Sequence, residues 1–306
     1  MSEVRLLGPA EVRDLADLLE LTPTKKLGQN FVIDPNTVRR IVRIAGVRPG
    51  DTVVEVGPGL GSLTLGLLEA DARVVAVEID KRLAAQLPQT VAQLTDFSDT
   101  DVPNTDASDA DASDTDLSNT DASVADRLTV IRADALQLAE LPHAPNRLVA
   151  NLPYNVSVPV LLHLLENFDS IRSGVVMVQA EVGQRMAAVP GSKIYGGPSV
   201  KAAWYGTWRT AGQVSRQVFW PVPNVDSILV AFERHDAEPG DAALRRRTFE
   251  LVDAAFQQRR KMLRQSLSVV YGDAQAASDA LEAAGLAPTA RGEALTVADF
   301  VALARA

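Results

Sequence analysis

The chain alternates short apolar runs with longer stretches in which apolar residues recur at helical spacing. Thr52 to Val56, Arg73 to Val77, Arg127 to Ile131, Leu148 to Ala150 and Gly174 to Gln179 read as buried strands. Near-continuous apolar strands separated by helices are the pattern of an α/β protein with a largely parallel sheet. Val38, Ile41, Val42 and Ala45 mark one face of a helix, with Asp34 as N-cap, Pro35 in the first turn and Gly46 at the end. Ser62 opens a second helix through Leu63, Leu65, Leu67 and Leu68, and Arg82 to Leu94, Val158 to Leu165 and Glu181 to Ala188 predict three more. Val12, Leu15, Leu18 and Leu19 give helical spacing near the N-terminus.

Further on, Val200 to Trp208 reads as a helix, and Gln213 to Val218 and Ser227 to Phe232 as strands. The polar stretch His235 to Asp241, with Pro239-Gly240, reads as a linker. Beyond it the pattern is helical. Phe249, Val252, Phe256, Leu263 and Leu267 form one apolar face, with short helices at Leu281 to Gly285 and Thr296 to Ala304. The expected organisation is an α/β domain over residues 1–235 and a small all-helical domain over 236–306.

Composition changes this picture at one place. The net charge of -9 would disfavour a nucleic-acid partner if it were evenly spread. Nine of the 39 acidic residues fall between Asp96 and Asp121, a stretch without Lys or Arg; the other 30 balance the 30 bases. Asp-Ala-Ser recurs at 106–108, 111–113 and 121–123, so residues 95–125 read as a disordered acidic insert between a helix and a strand. No apolar run approaches the ~18 residues a membrane span needs. With no cysteine and no signal-peptide pattern, the expectation is a cytoplasmic protein without disulfides or thiolate metal sites. His143, His163 and His235 show no metal-ligand spacing, so no metal is expected.

The candidate chemistry lies where strands end. Gly57, Gly59 and Gly61 follow the strand at Val56, in a G-x-G-x-G spacing. A dinucleotide fingerprint would place its third glycine at position 62, which is Ser. The loop therefore suits S-adenosylmethionine better than a dinucleotide. Glu78, 21 residues after Gly57, ends the second strand, where an acid can accept both ribose hydroxyls. Asp134 follows the next strand and is placed either to accept an adenine amino group or to cap a helix. Asn151-Leu152-Pro153-Tyr154 ends the strand after that. An Asn side-chain carbonyl and the Leu152 carbonyl, held by a rigid Pro turn beside an aromatic plate, suit a planar exocyclic amine. Phe219-Trp220-Pro221-Val222-Pro223 is a second rigid proline turn. Arg259, Arg260, Lys261 and Arg264 make a basic cluster read as helical, and Lys25 and Lys26 form a basic pair.

Gly28-Gln29-Asn30-Phe31, Val54 to Gly61, Asn151 to Ser157, Gln179 to Val182, Tyr195-Gly196, Phe219 to Ser227 and Phe256 to Arg260 occur in one order along the chain. Together they resemble the KsgA (RsmA) family of small-subunit ribosomal RNA adenine dimethyltransferases, over about residues 24–300. The resemblance implies a Rossmann-like S-adenosylmethionine-dependent methyltransferase domain with a helical RNA-binding domain behind it. It also implies N6-dimethylation of two adjacent adenines near the 3′ end of 16S rRNA, by a monomer acting on the small ribosomal subunit. Cofactor contacts would come from Asn30, Val32, Gly57, Glu78, Asp134 and Asn151. The target adenine would flip out of its stack and lie between Tyr154 and Phe219, with Asn151, Leu152 and Pro153 completing the catalytic turn. Lys25, Lys26, Arg259, Arg260, Lys261 and Arg264 would hold RNA. Two alternatives stay open: an Erm-type dimethylase of 23S rRNA, and an RNA-binding assembly factor in which catalysis is secondary. Val32, where the family often has Leu, and the acidic insert are departures from its pattern.

Overall fold

The computed structural model describes residues 4–21, 30–95 and 123–306. The acidic insert from 96 to 122, the pair Lys25 and Lys26, and Gly28-Gln29 lie outside the described residues. In chain order the elements are α1 (Pro9–Leu18), β1 (Phe31–Val32), α2 (Pro35–Ala45), β2 (Thr52–Val56), α3 (Ser62–Glu69), β3 (Arg73–Glu78), α4 (Lys81–Thr95) and β4 (Leu128–Arg132). Then come β5 (Arg147–Asn151), α5 (Ser157–Asn167), β6 (Ser173–Gln179), α6 (Ala180–Met186), α7 (Gly197–Tyr205), β7 (Gly206–Val214), β8 (Phe219–Trp220) and β9 (Ser227–Arg234). The chain finishes with α8 (Ala242–Gln257), α9 (Leu263–Ser266), α10 (Ser268–Tyr271), α11 (Ala274–Ala283) and α12 (Val297–Arg305).

Seven strands form one sheet in the order β4-β3-β2-β5-β6-β9-β7. The pairs from β4 to β6 are parallel, and β9 runs antiparallel to both β6 and β7. Helices cover both faces, so both faces of the strands are apolar. Val53, Val74, Ala76 and Val149 pack toward the α2, α3 and α4 side, while Val54, Val77, Leu148 and Ala150 pack toward α5 and α7. The chain winds from β2 through β3 to β4 in one direction and from β5 to β6 in the other. Order reverses between β2 and β5, and an open α/β sheet has its binding crevice at such a reversal, beyond the carboxyl ends of the strands. Residues 57–61 and Asn151 leave the sheet there.

Asp34 caps α2 as its sequence predicts, its carboxylate accepting from the Thr37 amide at 2.8 Å. Several expected elements differ. The helix read as running to Trp208 ends at Tyr205, and Gly206–Val214 is the edge strand β7, so Gln213 to Val218 holds only the end of that strand and a 3-10 turn. The β-branched and aromatic content of β7 is modest, and its pairing with β9 supplies what propensity does not. α11 begins at Ala274, well before Leu281, capped by Asp273. Its buried face is Ala277 and Leu281, too small an apolar stripe to announce a helix. Arg259, Arg260 and Lys261 are not helical: they occupy the turn between α8 and α9.

The polar stretch after β9 is pinned rather than loose. Arg234, with a side chain 3% exposed, donates to Phe168 O at 3.1 Å, to Asp169 at 2.8 Å and to Glu238 at 2.5 Å. Glu238 also accepts from the Trp204 indole at 2.9 Å and faces Arg245 of α8 at 3.6 Å. Arg245 reaches Glu166 of α5 at 2.5 Å. Val301 of α12 joins the apolar cluster of the sheet, with Leu244, Phe249 and Val297 packed against it. The C-terminal helices are thus joined to the sheet by apolar packing and a half-buried charge network. Removing one member leaves its partner short of compensation, so Arg234→Ala is expected to cost about 3 kcal/mol in denaturant unfolding. Arg172→Ala, which removes an ion pair to a fully exposed Asp236, should change stability by under about 1 kcal/mol.

Candidate functional site

The loop after β2 turns through glycines in the left-handed region: Gly57 has φ 68°, Gly59 φ 60° and Gly61 φ 99°. An L side chain is strained at such angles. At Gly59 it would also collide, because a Cβ there would lie 2.8 Å from the Phe31 ring. At Gly57 a Cβ would point toward Asn151 O and the Pro153 ring, each 3.9 Å away. The loop therefore lies close under both β1 and the end of β5. α3 starts from it, and the Ser62 hydroxyl there is buried with no hydrogen-bond partner among the described residues.

These elements enclose a cavity of about 270 Å³ beyond the carboxyl ends of β2, β3, β4 and β5. Asn30, Val32, Gly57, Glu78, Asp134 and Asn151, the six residues expected to hold the cofactor, all line it. Glu78 is buried, and its oxygens accept from the Gly59 amide at 3.2 Å and the Asp80 amide at 2.9 Å. Burial raises its pKa, opposed by those two amides. Asp134 caps the short turn at Ala135–Gln137 through Leu136 N at 2.9 Å, and it also lines the cavity.

Asn151 closes β5 and donates from Nδ2 to Asn30 O at 2.9 Å. That bond fixes the amide, so Oδ1 is its acceptor end. Leu152 is buried and its amide donates to Met177 O, which anchors the turn to β6. Pro153 faces the cavity. Tyr154 shares a 2.7 Å hydrogen bond with Ser227 at the start of β9, and burial raises its pKa against that bond. Phe219 pairs with Val32 across the β1–β8 ladder and is 1% exposed. The ring face expected to stack on a base is covered by protein in this conformation. Trp220, next to it, pairs with Phe31 and stacks on that ring at 6.4 Å.

Two residues at the cavity escaped the sequence reading. Ile79 is 63% exposed and Leu136 36%, both lining the cavity beside Glu78 and Asp134. Two apolar side chains left in water at the mouth suit the faces of an adenine ring. The available signal was their position one and two residues past an acid at a strand end. Glu55 is also fully buried and part of the lining. Arg259 donates to Glu293 at 3.1 Å and to Lys193 O at 2.5 Å, which ties the loop before α7 to the C-terminal helices. Arg260 and Lys261 are exposed and Arg264 half-buried.

A family model described as ribosomal RNA adenine dimethylase matches residues 21–305. The chain belongs to the ribosomal RNA adenine dimethylase family, and it is a methyltransferase. The protein named "Ribosomal RNA small subunit methyltransferase A" from Leifsonia xyli subsp. xyli is 70% identical over 99% of each chain. The protein of the same name from Streptomyces griseus is 56% identical over 98% of this chain and 94% of its own. Among solved structures, a dimethyladenosine transferase from Plasmodium falciparum has a TM-score of 0.67 at 21% identity, covering 88% of this chain and 94% of its own. The 23S rRNA methyltransferase ErmE has a TM-score of 0.60 at 24% identity, covering 90% and 98%. Both likenesses are of fold, the Rossmann-like methyltransferase sheet with helices after it.

The lining fits the cofactor that a dimethylase of this fold calls for. A buried acid with free lone pairs suits a ribose diol, exposed Ile79 and Leu136 suit a purine, and four carboxyls suit a molecule bearing cations. Glu78→Ala is therefore expected to weaken S-adenosylmethionine binding by about 1.5–3 kcal/mol, the scale of a hydrogen bond to a charged group. Calorimetry checks this, and unchanged affinity would remove Glu78 from the ribose site.

Proposed function

We propose that this protein transfers methyl groups from S-adenosylmethionine to N6 of two adjacent adenines near the 3′ end of 16S rRNA, in the small ribosomal subunit. It acts as a cytoplasmic monomer, and the modification belongs to ribosome biogenesis. The observation that carries this reading is the Asn151-Leu152-Pro153-Tyr154 turn. Its amide is fixed by Asn30 at 2.9 Å, at the edge of a cavity that suits the methyl donor.

The amine of adenine is a poor nucleophile because its lone pair is delocalised into the ring. Asn151 Oδ1 and the Leu152 carbonyl accept its two hydrogens and favour a tetrahedral nitrogen, whose lone pair is then free to attack, and one of those protons passes to solvent as the new bond to nitrogen forms. S-adenosylmethionine, when bound, supplies a methyl group already activated by its sulfonium. Tyr154, anchored to Ser227 at 2.7 Å, holds the flipped base by stacking. Phe219 closes on the other face once the β1–β8 pair shifts to uncover it. The chain's contribution is position and electrostatics, with no covalent intermediate.

Asn151→Ala should cut methyl transfer by at least about a hundredfold, the scale of losing a donor or acceptor used in the transition state. Folding and subunit binding should be retained. Turnover near the wild-type rate would leave the tetrapeptide as a plain turn. On the RNA side, the body is neutral apart from the acidic insert, so binding comes from local clusters. The turn bearing Arg260 and Lys261, with Arg264 beside it and Lys25 and Lys26 on another segment, supplies phosphate contacts. Each such contact contributes a salt slope of about -0.9 on a duplex of the DNA type. Neutralising Arg260 and Lys261 should weaken subunit binding and flatten its salt dependence without moving cofactor affinity. An unchanged slope would mean that the cluster is only solvated.

A further inference from the structure

Glu55 has no task in the chemistry proposed above. It is 1% exposed, in β2, and lies on the same side of the sheet as Glu78, because Glu55 is in register with Ala76. Among the described residues its hydrogen bond comes from Thr64 of α3, whose hydroxyl is 2.6 Å from Oε2. The elements around the cavity present further acid to it. Glu78 comes from β3, Asp80 from the start of α4 and Asp134 from the turn after β4, while β5 contributes the neutral Asn151. No Lys, Arg or His is among the described lining residues. Burial pushes the Glu55 carboxyl up to about 8, against the Thr64 hydrogen bond and with the Glu78 charge adding to the rise. At neutral pH it therefore holds its proton.

A buried carboxylate without a cation is costly, and a positive charge brought within a few ångströms reverses the balance. We propose that the cavity takes up its cationic cofactor in exchange for the proton on Glu55. The inference rests on the S-adenosylmethionine assignment above. That molecule carries a sulfonium and an ammonium against one carboxylate, a net positive charge. As it enters, the O–H bond of Glu55 breaks, the proton passes to solvent, and the electron pair stays on the carboxylate. The Thr64 hydroxyl continues to donate to that oxygen. No bond of the cofactor changes in this step. S-adenosylhomocysteine differs by one methyl group and one charge, and its net charge is zero. Glu55 is thus a positioning residue that matches the charge of the cavity to the charge of the methyl donor.

The sign follows from linkage. Glu55 ionises more readily in the complex than in the free protein, so affinity rises with pH until the free protein has itself lost the proton. Titration calorimetry of the full chain at pH 7, in two buffers of different ionisation enthalpy, counts the protons. S-adenosylmethionine should release close to one proton, and S-adenosylhomocysteine well under half of one. The Kd for S-adenosylmethionine should fall nearly tenfold per pH unit and level off above about 8. Glu55→Gln should abolish both the release and the slope. Thr64→Val, which removes the bond favouring the ionised form, should move the levelling-off to higher pH and covers the case in which the first variant fails to fold. Binding without proton release, or equal release with both ligands, overturns the exchange and leaves the cofactor assignment standing. No binding of S-adenosylmethionine at any pH overturns the assignment and the exchange together.

Discussion

The site depends on a backbone constraint at residues 57–61. Three glycines in the left-handed region let the chain leave β2, pass close beside Asn151 and Pro153, and enter α3. Phe31 packs so near Gly59 that no side chain fits between them. Phe31 in turn pairs with Trp220 and stacks on it, so the segment before α2, the glycine loop and the proline turn after β7 form one packed unit. The Asn151 amide is tied into the same unit through Asn30. The cavity proposed for the cofactor and the proposed methyl acceptor site therefore share walls. A change in the loop reaches the turn at Asn151 to Tyr154 through contacts, without passing through the sheet.

Much of this was legible because it is local. A strand, a glycine loop and an acid at the next strand end can be read from spacing alone, as can the Asp34 cap and the Asn-Leu-Pro-Tyr turn. What could not be read is set by distant pairing. β1 and β8 are two residues long, too short for a strand alternation to show. Their ladder is what buries Phe219, whose expected stacking face is covered as a result. A helix expected to run to Trp208 overlaps the start of β7, and the expected strand from Gln213 meets only its end, because the strand character of β7 comes from its pairing with β9. The basic cluster at 259–261 follows a periodic helix so closely that the turn between α8 and α9 was invisible in the pattern. The stretch after Arg234 read as a linker because its residues are polar. Its Glu238 carboxylate is instead gripped by Arg234 and the Trp204 indole.

Charge is distributed in a way the net value of -9 conceals. Acid is concentrated in the insert and again around the cofactor cavity, while exposed cations gather on the turn before α9. The cavity's carboxyls suit the proposed cationic methyl donor, and the exposed cations suit the phosphates of the proposed RNA partner. Buried ion pairs such as Arg234 with Glu238 serve a third purpose and fix the helical segment against the sheet.

The most direct test follows tritium from labelled S-adenosylmethionine into undermethylated small ribosomal subunits, then maps the product. N6,N6-dimethyladenosine is expected at two adjacent adenines near the 3′ end of 16S rRNA, with no label in 23S rRNA. Label in 23S rRNA, or subunit binding with no transfer at all, would contradict the proposed function.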